Sequence, residues 1–261
     1  VGKEIYAQVA QHRLIDVGLE LGGKDACYVA QDADVSQAAV LVAHGALYNA
    51  GQGCCSVERV YVHHTVVQRF LAAVSQEARA CYTARAGDPL LRSTALGPMA
   101  LDTAPSLLKD QVKDALAKGA TLDAGVAAAA AAAAAAGSLS ARFFLPVLLS
   151  GCNHSMAVMQ QESFGPVIAV QSVKSDEEAI QLMNDSSFGL TASVFTASSS
   201  RADRLAVQLD TGTVFQNRCN LPDPHLAWTG TKNSGKGLTL SRHAFRAVTR
   251  IKSLNFLRSK S

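Results

Sequence analysis

The chain lacks the features that mark several large classes of protein. No stripe of lysines and arginines interleaved with aromatic residues runs through its 261 residues, and its formal net charge is only +3. We therefore expect no nucleic-acid partner. No apolar run reaches the roughly eighteen residues that a membrane-spanning helix needs. The run at 126–136 is shorter and almost entirely alanine, so nothing in this segment indicates membrane association.

The cysteines lack the spacing of a zinc or dithiol site. Six are scattered along the chain without a C-x-x-C pair, so we predict no metal site. This usage favours the cytoplasm or another reducing intracellular compartment. Four are interpreted as small buried hydrophobic residues, namely Cys27, Cys81, Cys152 and Cys219. The other two, Cys54 and Cys55, are adjacent.

Segments with strand and helix character alternate along the chain. Hydrophobic residues make up 48% and charged residues 17%, which is typical of a folded globular protein. The predicted strands are 17–21, 57–63, 143–149, 167–173, 190–196 and 212–217, and the predicted helices are 4–15, 36–48, 65–82, 105–118, 175–184 and 199–209. This alternation predicts α/β units around a largely parallel sheet. The alanine block 127–136 favours helix, and we assign it no function.

Cys54 is the strongest candidate for a catalytic residue. It follows Gly51-Gln52-Gly53 and precedes Cys55 and Ser56. A nucleophilic thiol must be partly ionised and open to its substrate, and small neighbours permit a close approach. These residues alone do not decide between Cys54 and Cys55 as the nucleophile.

Two further motifs contain carboxylates. Glu20 lies in Glu20-Leu21-Gly22-Gly23-Lys24, which we place at the carboxyl end of a strand, the usual location of functional groups in α/β sheets. It could deprotonate a thiol or a water if burial raised its pKa toward neutrality. Glu162 lies in Glu162-Ser163-Phe164-Gly165-Pro166, before a predicted buried strand. A lone glutamate is more often solvated or salt-bridged than functional, so each motif is weak by itself.

Together the three motifs resemble the NAD(P)-dependent aldehyde dehydrogenase superfamily. Glu20 precedes Cys54 by 34 positions and Arg59 follows it by 5, as in that family, whose Gly-Gln-x-Cys pattern selects Cys54 over Cys55. The similarity continues to the C-terminal part of the chain. There, Leu238-Thr239 replaces the family's usual Arg-Glu, which leaves the substrate class and local cofactor contacts open.

The resemblance implies a reaction and the residues that perform it. Cys54 would attack a small aldehyde to give a thiohemiacetal, hydride would pass to NAD or NADP, with NAD favoured, and hydrolysis of the resulting thioester would give a carboxylic acid. Glu20 would be the general base, and Lys24 would be structural.

The resemblance also implies a cofactor site. Glu162 would accept hydrogen bonds from the ribose next to the nicotinamide, and Phe164 would pack near the nicotinamide ring. Leu21 and Gly22 would belong to the turn that lets the backbone pass close to that ring.

The implied fold is an α/β, aldehyde-dehydrogenase-like doubly wound parallel sheet with a C-terminal oligomerisation strand. Residues 23–223 would form the catalytic domain, and 1–22 and 224–248 would belong to a cofactor-binding domain. Residues 249–261 would form the oligomerisation strand and tail of a homodimer or homotetramer. The match corresponds to the second half of a typical member, so we expect these residues alone to be inactive.

Other functions stay open at this point. A CoA-acylating or semialdehyde dehydrogenase would pass the thioester to coenzyme A, often without the base, so Glu20 argues against the acylating type. A catalytically silent structural member is disfavoured by the retained Cys54, Glu20 and Glu162. A cysteine hydrolase would pair Cys54 with His63 or His64, but no other hydrolase signature is present.

Overall fold

A seven-stranded sheet lies at the centre of the structure, a computed structural model that describes residues 1–137 and 139–257. Its strands are β2 (Asp25–Val29), β3 (Val57–His63), β4 (Thr121–Leu122), β5 (Val147–Ser150), β6 (Val167–Val173), β8 (Thr191–Phe195) and β9 (Thr213–Gln216). Their order is β4-β5-β6-β3-β2-β8-β9. Strand β4 pairs antiparallel with β5, and the other neighbouring strands are parallel. The predicted α/β class with a largely parallel sheet is confirmed.

Two short ribbons accompany this sheet. Strand β1 (Leu19–Glu20) pairs antiparallel with β11 (Gly235–Lys236), and β7 (Phe188–Gly189) pairs with β10 (Thr231–Lys232). The first ribbon connects the start of the chain to the segment after β9. The predicted strand 17–21 is therefore shorter than expected and lies outside the central sheet.

Helices cover both faces of the sheet, which confirms the doubly wound arrangement. They are α1 (Gly2–His12), α2 (Val35–Leu47), α3 (Val67–Glu77), α4 (Ala104–Ala117), α5 (Ala124–Ala135), α6 (Ala157–Gln160), α7 (Asp176–Asn184) and α8 (Ser199–Ala206). Cys27 and Val29 of β2 pack in the core beneath α2 and α3. Their neighbours Ala26 and Tyr28 point to the opposite core, beneath α4, α7 and α8, because successive side chains of a strand alternate between faces.

Helix starts follow the expected capping chemistry. The Asp34 side chain accepts a hydrogen bond from the Gln37 N–H and caps α2. Ser175 caps α7 by accepting from the Glu178 N–H, and three acidic residues in the first turn of that helix favour its dipole. The alanine block forms α5, whose cap is Asp123.

Strand β2 is the main element that the sequence analysis missed. All five of its residues are buried, so the strand has no alternation of polar and apolar positions to reveal it. It begins with a charged residue, Asp25, whose carboxylate accepts hydrogen bonds from the Thr191 N–H at 3.1 Å and the Thr191 hydroxyl at 2.6 Å. These bonds connect β2 to its neighbour β8 and satisfy a carboxylate that would otherwise be costly to bury.

The C-terminal segment is extended and exposed. Residues 249–257 contain no strand, and the side chains of Ile251, Leu254 and Phe256 are exposed. The domain boundaries and the pairing of this segment with a second subunit stay predictions, and the predicted tail at 258–261 lies outside the described residues. Within the described part of the chain, no helix combines the length and apolar character that crossing a membrane requires.

Candidate active site

The three motifs meet at the amino-terminal edge of the parallel sheet. Gly22 and Lys24 enter β2, Cys54 lies just before β3, and Glu162 lies just before β6. Glu20 is the last residue of β1, so its predicted position at the carboxyl end of a strand is confirmed, but β1 belongs to the antiparallel ribbon and not to the parallel sheet. Strand β2, which the sequence analysis overlooked, begins at Asp25. The Glu20–Lys24 motif therefore lies immediately before a strand of the parallel sheet and not after one.

The loop before Cys54 has an unusual backbone that fixes the direction of the thiol. Asn49, Ala50 and Gly51 have φ values of 52°, 56° and 70°, the left-handed region that side chains other than glycine rarely adopt. A Cβ on Gly51 would also overlap the Gly165 carbonyl, so this loop and the Glu162 loop are packed backbone to backbone. The Gln52 side chain accepts from the Ala100 N–H at 2.6 Å and stabilises the turn.

The surroundings of Cys54 favour its thiolate. Cys54 is exposed, while its neighbour Cys55 is only 6% exposed. A hydrogen bond from the Cys55 thiol lowers the pKa of Cys54 to about 6, and partial burial opposes that shift. The backbone N–H groups of Cys54 and Cys55 lower this pKa further, while the negative charge of nearby Glu20 raises it. The ionised, accessible thiol is therefore Cys54.

Cys55 acts as a donor and has a raised pKa. Its thiol lies 2.9 Å from Asn220 Oδ1 and within hydrogen-bonding reach of Cys54. The pKa of Cys55 is raised, first because its proton is held by Cys54 and then because of burial. Since an ionised acceptor binds a proton more strongly than a neutral one, the Cys54 thiolate competes with Asn220 for the Cys55 proton.

This geometry predicts the pH dependence of thiol alkylation. We expect iodoacetamide to modify Cys54 with a midpoint at about pH 6, because the thiolate is the reacting form. The Cys55→Ala variant removes the donor, so its midpoint should move up toward the ordinary thiol value of about 8.5. Mass spectrometry of the peptide that contains Cys54 measures the alkylation rate of this thiol separately from those of the other cysteines. A wild-type midpoint near 8.5, or one that Cys55→Ala leaves in place, would contradict the assignment.

Glu20 is the carboxylate next to this thiol. It ends β1, its side chain is exposed, and it accepts a hydrogen bond from the Thr239 hydroxyl. Its negative charge raises the pKa of Cys54, so the two side chains are within electrostatic reach of each other. Burial, the condition that the sequence analysis set for Glu20 to act as a base, is not observed, because the β1–β11 ribbon leaves its side chain open to solvent. Thr239 occupies one of the positions at which the sequence departs from the resembled family.

The Glu162 loop lies across the turn that follows Glu20. Glu162 Oε1 accepts from the Gly23 N–H at 3.1 Å. A Cβ on Gly22 would overlap the Glu162 carboxylate, so glycine is required for this approach. Partial burial raises the pKa of Glu162, and the Gly23 N–H opposes that shift. Leu21 lies beside this turn, with its side chain against Gly2 and its N–H bonded to the Ser234 carbonyl at 3.0 Å.

Phe164 has a strained backbone and an accessible ring. Its φ is 49°, an outlier for an aromatic residue, and its side chain is 42% exposed. Its N–H donates to Glu58 Oε1 at 2.8 Å. The ring and the Glu162 carboxylate thus present an apolar surface and an acceptor side by side, a combination that suits the nicotinamide end of a dinucleotide. The residues present therefore fit such a group.

Glu58 and Arg59 connect the elements that form the site. Neither residue was assigned a structural role from the sequence. Glu58 forms a buried ion pair with Lys24 at 2.6 Å. Arg59 donates to the Lys24 carbonyl at 2.8 Å and to the Met183 carbonyl at 3.0 Å, which anchors the C-terminal end of α7 to the start of β2. The signal was present in the sequence, because two charges inside an otherwise apolar strand imply buried partners.

The proposed hydrolase histidines lie far from Cys54. His63 ends β3, six residues after the start of that strand at Val57, or roughly 20 Å away at the usual rise of a strand. Its Nδ1 is hydrogen-bonded to the Thr65 hydroxyl at 2.8 Å. A pairing of Cys54 with His63 or His64 therefore has no support in this fold.

Comparison with known sequences identifies one family. The model of the aldehyde dehydrogenase family matches residues 1–254. An aldehyde dehydrogenase of Paenarthrobacter nicotinovorans is 35% identical over 237 residues, which cover 90% of this chain and 49% of the relative. The vanillin dehydrogenase of Pseudomonas fluorescens is 36% identical over 234 residues, covering 89% of this chain and 46% of the relative. The chain thus spans about half the length of the curated relatives it matches.

Solved structures give the same result. The NADP-dependent glyceraldehyde-3-phosphate dehydrogenase of Bacillus halodurans, complexed with NADP, superimposes with a TM-score of 0.84 at 30% identity, covering 95% of this chain and 50% of that one. The betaine aldehyde dehydrogenase of Staphylococcus aureus, in complex with NAD+, superimposes with a TM-score of 0.82 at 29% identity. The match covers 94% of this chain and 47% of that one. Since the sequence match, the fold and the convergence of the three motifs agree, the chain belongs to the aldehyde dehydrogenase family.

Proposed function

We propose that the protein containing this chain oxidises an aldehyde to a carboxylic acid through a covalent thioester on Cys54. The observation that carries this proposal is an exposed thiol whose pKa is lowered to about 6, within electrostatic reach of Glu20 and on a loop that packs against the Glu162–Phe164 loop. A nucleophile, a base and an acceptor group for a nucleotide ribose are the parts that this reaction needs.

The first step uses the ionised Cys54. Its thiolate attacks the carbonyl carbon of the aldehyde, and a carbon–sulfur bond forms while the carbonyl oxygen takes up negative charge. The N–H groups of Cys54 and Cys55, which already favour negative charge on the sulfur, would be available as donors to that oxygen. Collapse of the thiohemiacetal expels hydride from the substrate carbon and leaves a thioester on Cys54. NAD(P), when bound, supplies the acceptor for that hydride.

The second step uses Glu20. Its exposed carboxylate takes a proton from a water molecule, which attacks the thioester carbon and releases the acid and the Cys54 thiolate. The Thr239 hydroxyl, bonded to Glu20 Oε1, holds the carboxylate in place. Glu162 would accept hydrogen bonds from the ribose of the cofactor, and Phe164 would pack near its nicotinamide ring. Leu21 and Gly22 would belong to the turn that lines this cofactor site.

The cofactor is proposed as NAD or NADP, with NAD tested first. Both forms occur among the structural neighbours, since the Bacillus halodurans enzyme was solved with NADP and the Staphylococcus aureus enzyme with NAD+. The contacts proposed for Glu162 and Phe164 involve the nicotinamide end, which the two cofactors share. They support binding of either one.

The test is an assay of cofactor reduction by the full-length protein. Aliphatic aldehydes, aromatic aldehydes and semialdehydes are supplied with NAD or NADP, and absorbance at the reduced-nicotinamide wavelength is followed. We expect turnover with at least one aldehyde and release of the free acid. A folded protein that binds cofactor but oxidises no aldehyde would overturn the proposal. Turnover that requires coenzyme A would instead establish the acylating reaction, which Glu20 disfavours.

Two further properties are proposed for the complete protein. The exposed apolar side chains at 251–257 suit a strand that joins the sheet of a second copy, giving a homodimer or homotetramer. A monomer in light scattering would contradict this. The six free cysteines suit a reducing compartment, since a nucleophilic thiol must stay reduced.

A further inference from the structure

Glu58 is a buried carboxylate whose position connects the thiol loop to the Glu162 loop. It lies four residues after Cys54, in β3, and is 3% exposed. Its nearest cation is Lys24, 1% exposed, at the end of the motif that contains Glu20. Burial lowers the pKa of Lys24, and the charge of Glu58 opposes this shift. Each charge is therefore stabilised by the other in a buried region.

The Glu58 carboxylate accepts three hydrogen bonds, and two come from the backbone of the Glu162 loop. Oε2 accepts from Lys24 Nζ at 2.6 Å and from the Ser163 N–H at 2.8 Å. Oε1 accepts from the Phe164 N–H at 2.8 Å. Hydrogen bonds to an ionised acceptor are about twice as strong as neutral ones. The peptide groups on either side of Ser163 are therefore fixed by a single side chain.

The backbone at this point needs such restraint. Phe164 has a φ of 49°, a conformation that persists in an aromatic residue when its surroundings hold it there. The bond from its N–H to Glu58 acts directly on that residue. Without the bond, the chain around Phe164 is free to relax to an ordinary conformation, which would turn both the ring and the Glu162 side chain away from the cofactor position.

Further contacts make the arrangement rigid. The Ser163 hydroxyl accepts from Lys24 Nζ at 3.0 Å and donates to Gln111 Oε1 at 2.7 Å. The Gln111 amide in turn donates to the Glu162 carbonyl at 3.3 Å. These bonds connect α4, the start of β2 and the Glu162 loop, and Glu58 lies at the centre of the network.

We propose that Glu58 is a positioning residue for the cofactor: its carboxylate, paired with Lys24, holds the Ser163 and Phe164 amides so that Glu162 and the Phe164 ring face the nicotinamide end. This inference rests on the proposed function. Glu58 does not contact the reacting atoms, so its loss should weaken cofactor binding more than it affects attack by Cys54.

Two substitutions of Glu58 in the full-length protein test this role. Glu58→Gln removes the charge. Glu58→Asp keeps the charge opposite Lys24 and is expected to fold, but it withdraws the acceptor by about 1.5 Å, the length of one carbon–carbon bond. For both variants we expect the cofactor Kd, measured by quenching of protein fluorescence, and the cofactor KM to rise about tenfold or more, the usual effect of losing a hydrogen bond to a charged group. The aldehyde KM should change by less than about twofold, and alkylation of Cys54 without cofactor should keep its rate.

A matched control separates positioning from general stability. Asp25→Asn alters another buried carboxylate of the same sheet, one whose hydrogen bonds go to Thr191. We expect it to lower the melting temperature while leaving the cofactor Kd unchanged. A folded Glu58→Asp protein with wild-type cofactor Kd would overturn the proposal even if Glu58→Gln did not fold, and so would equal weakening of cofactor binding by Asp25→Asn.

The same measurements distinguish failure of the proposed function from failure of the role proposed for Glu58. If the wild-type protein binds NAD or NADP but oxidises no aldehyde, the reaction is wrong, while the fluorescence Kd still decides the role of Glu58. If the wild-type protein binds neither cofactor, both proposals fail. If the wild-type protein oxidises an aldehyde but the Glu58 variants keep the wild-type cofactor Kd, the positioning role of Glu58 is wrong and the proposed function stands.

Discussion

Replacing Cys54 by serine is expected to lower the rate of aldehyde oxidation by at least about a thousandfold. The pKa of Cys54 is lowered to about 6, so most of this thiol is ionised at neutral pH, whereas a serine hydroxyl is not. Serine also preserves the size and the hydrogen bonds of the side chain. The loss would therefore come from nucleophilicity and not from disruption of the loop.

The matched control for this variant is Cys55→Ser. It changes the adjacent thiol, keeps a donor for Cys54, and retains a partner for Asn220. We expect it to keep most of the wild-type turnover at pH 8, well above the Cys54 pKa. The steady-state rate of cofactor reduction measures both variants. An active Cys54→Ser protein, or a Cys55→Ser protein as inactive as it, would show that the nucleophile has been misassigned.

Replacing Glu20 by glutamine is expected to slow turnover by about a hundredfold to ten-thousandfold, the usual contribution of a general base. Glutamine keeps an acceptor for the Thr239 hydroxyl but cannot take a proton from water. Because Cys54 ionises without Glu20, whose charge in fact opposes that ionisation, formation of the thioester should persist. We therefore expect a burst of cofactor reduction, stoichiometric with protein, followed by slow release of acid.

A surface glutamate provides the control. Glu177→Gln changes an exposed carboxylate in the first turn of α7, away from the motif loops, and should leave the turnover unchanged. Stopped-flow absorbance resolves the burst from the steady state. Loss of the burst itself in Glu20→Gln would mean that Glu20 activates the thiol, and an unchanged steady state would remove it from the mechanism.

Much of the fold could be predicted from the sequence because its strands and helices have clear periodicity. Strands β3 and β6 have the predicted limits, and helices α2, α4 and α7 begin or end within one residue of theirs. The missing element was β2, whose buried residues do not alternate. Because β2 was overlooked, the Glu20 motif was placed at the carboxyl edge of the parallel sheet, whereas it lies at the amino-terminal edge, between β1 and the start of β2.

The residues of the candidate site differ in how much of their role could be predicted from the sequence. Cys54 was chosen over Cys55 from a family pattern, and the structure adds a physical reason, since Cys54 is exposed and Cys55 is the buried donor. Glu58 could not be assigned from spacing alone, because its partners Ser163 and Phe164 lie more than one hundred residues later in the chain. Contacts of that sequence separation require the folded sheet, which places β3 beside β6.

The most direct test of the account is identification of the residue that carries the acyl group. The full-length Glu20→Gln protein is mixed with an aldehyde substrate and NAD or NADP, quenched in acid during the burst, digested and analysed by mass spectrometry. We expect the mass of the acyl group on the peptide that contains Cys54, in an amount equal to the burst, and none in Cys54→Ser. Cofactor reduction without an acylated peptide, or an acyl group on Cys55 instead, would contradict the account.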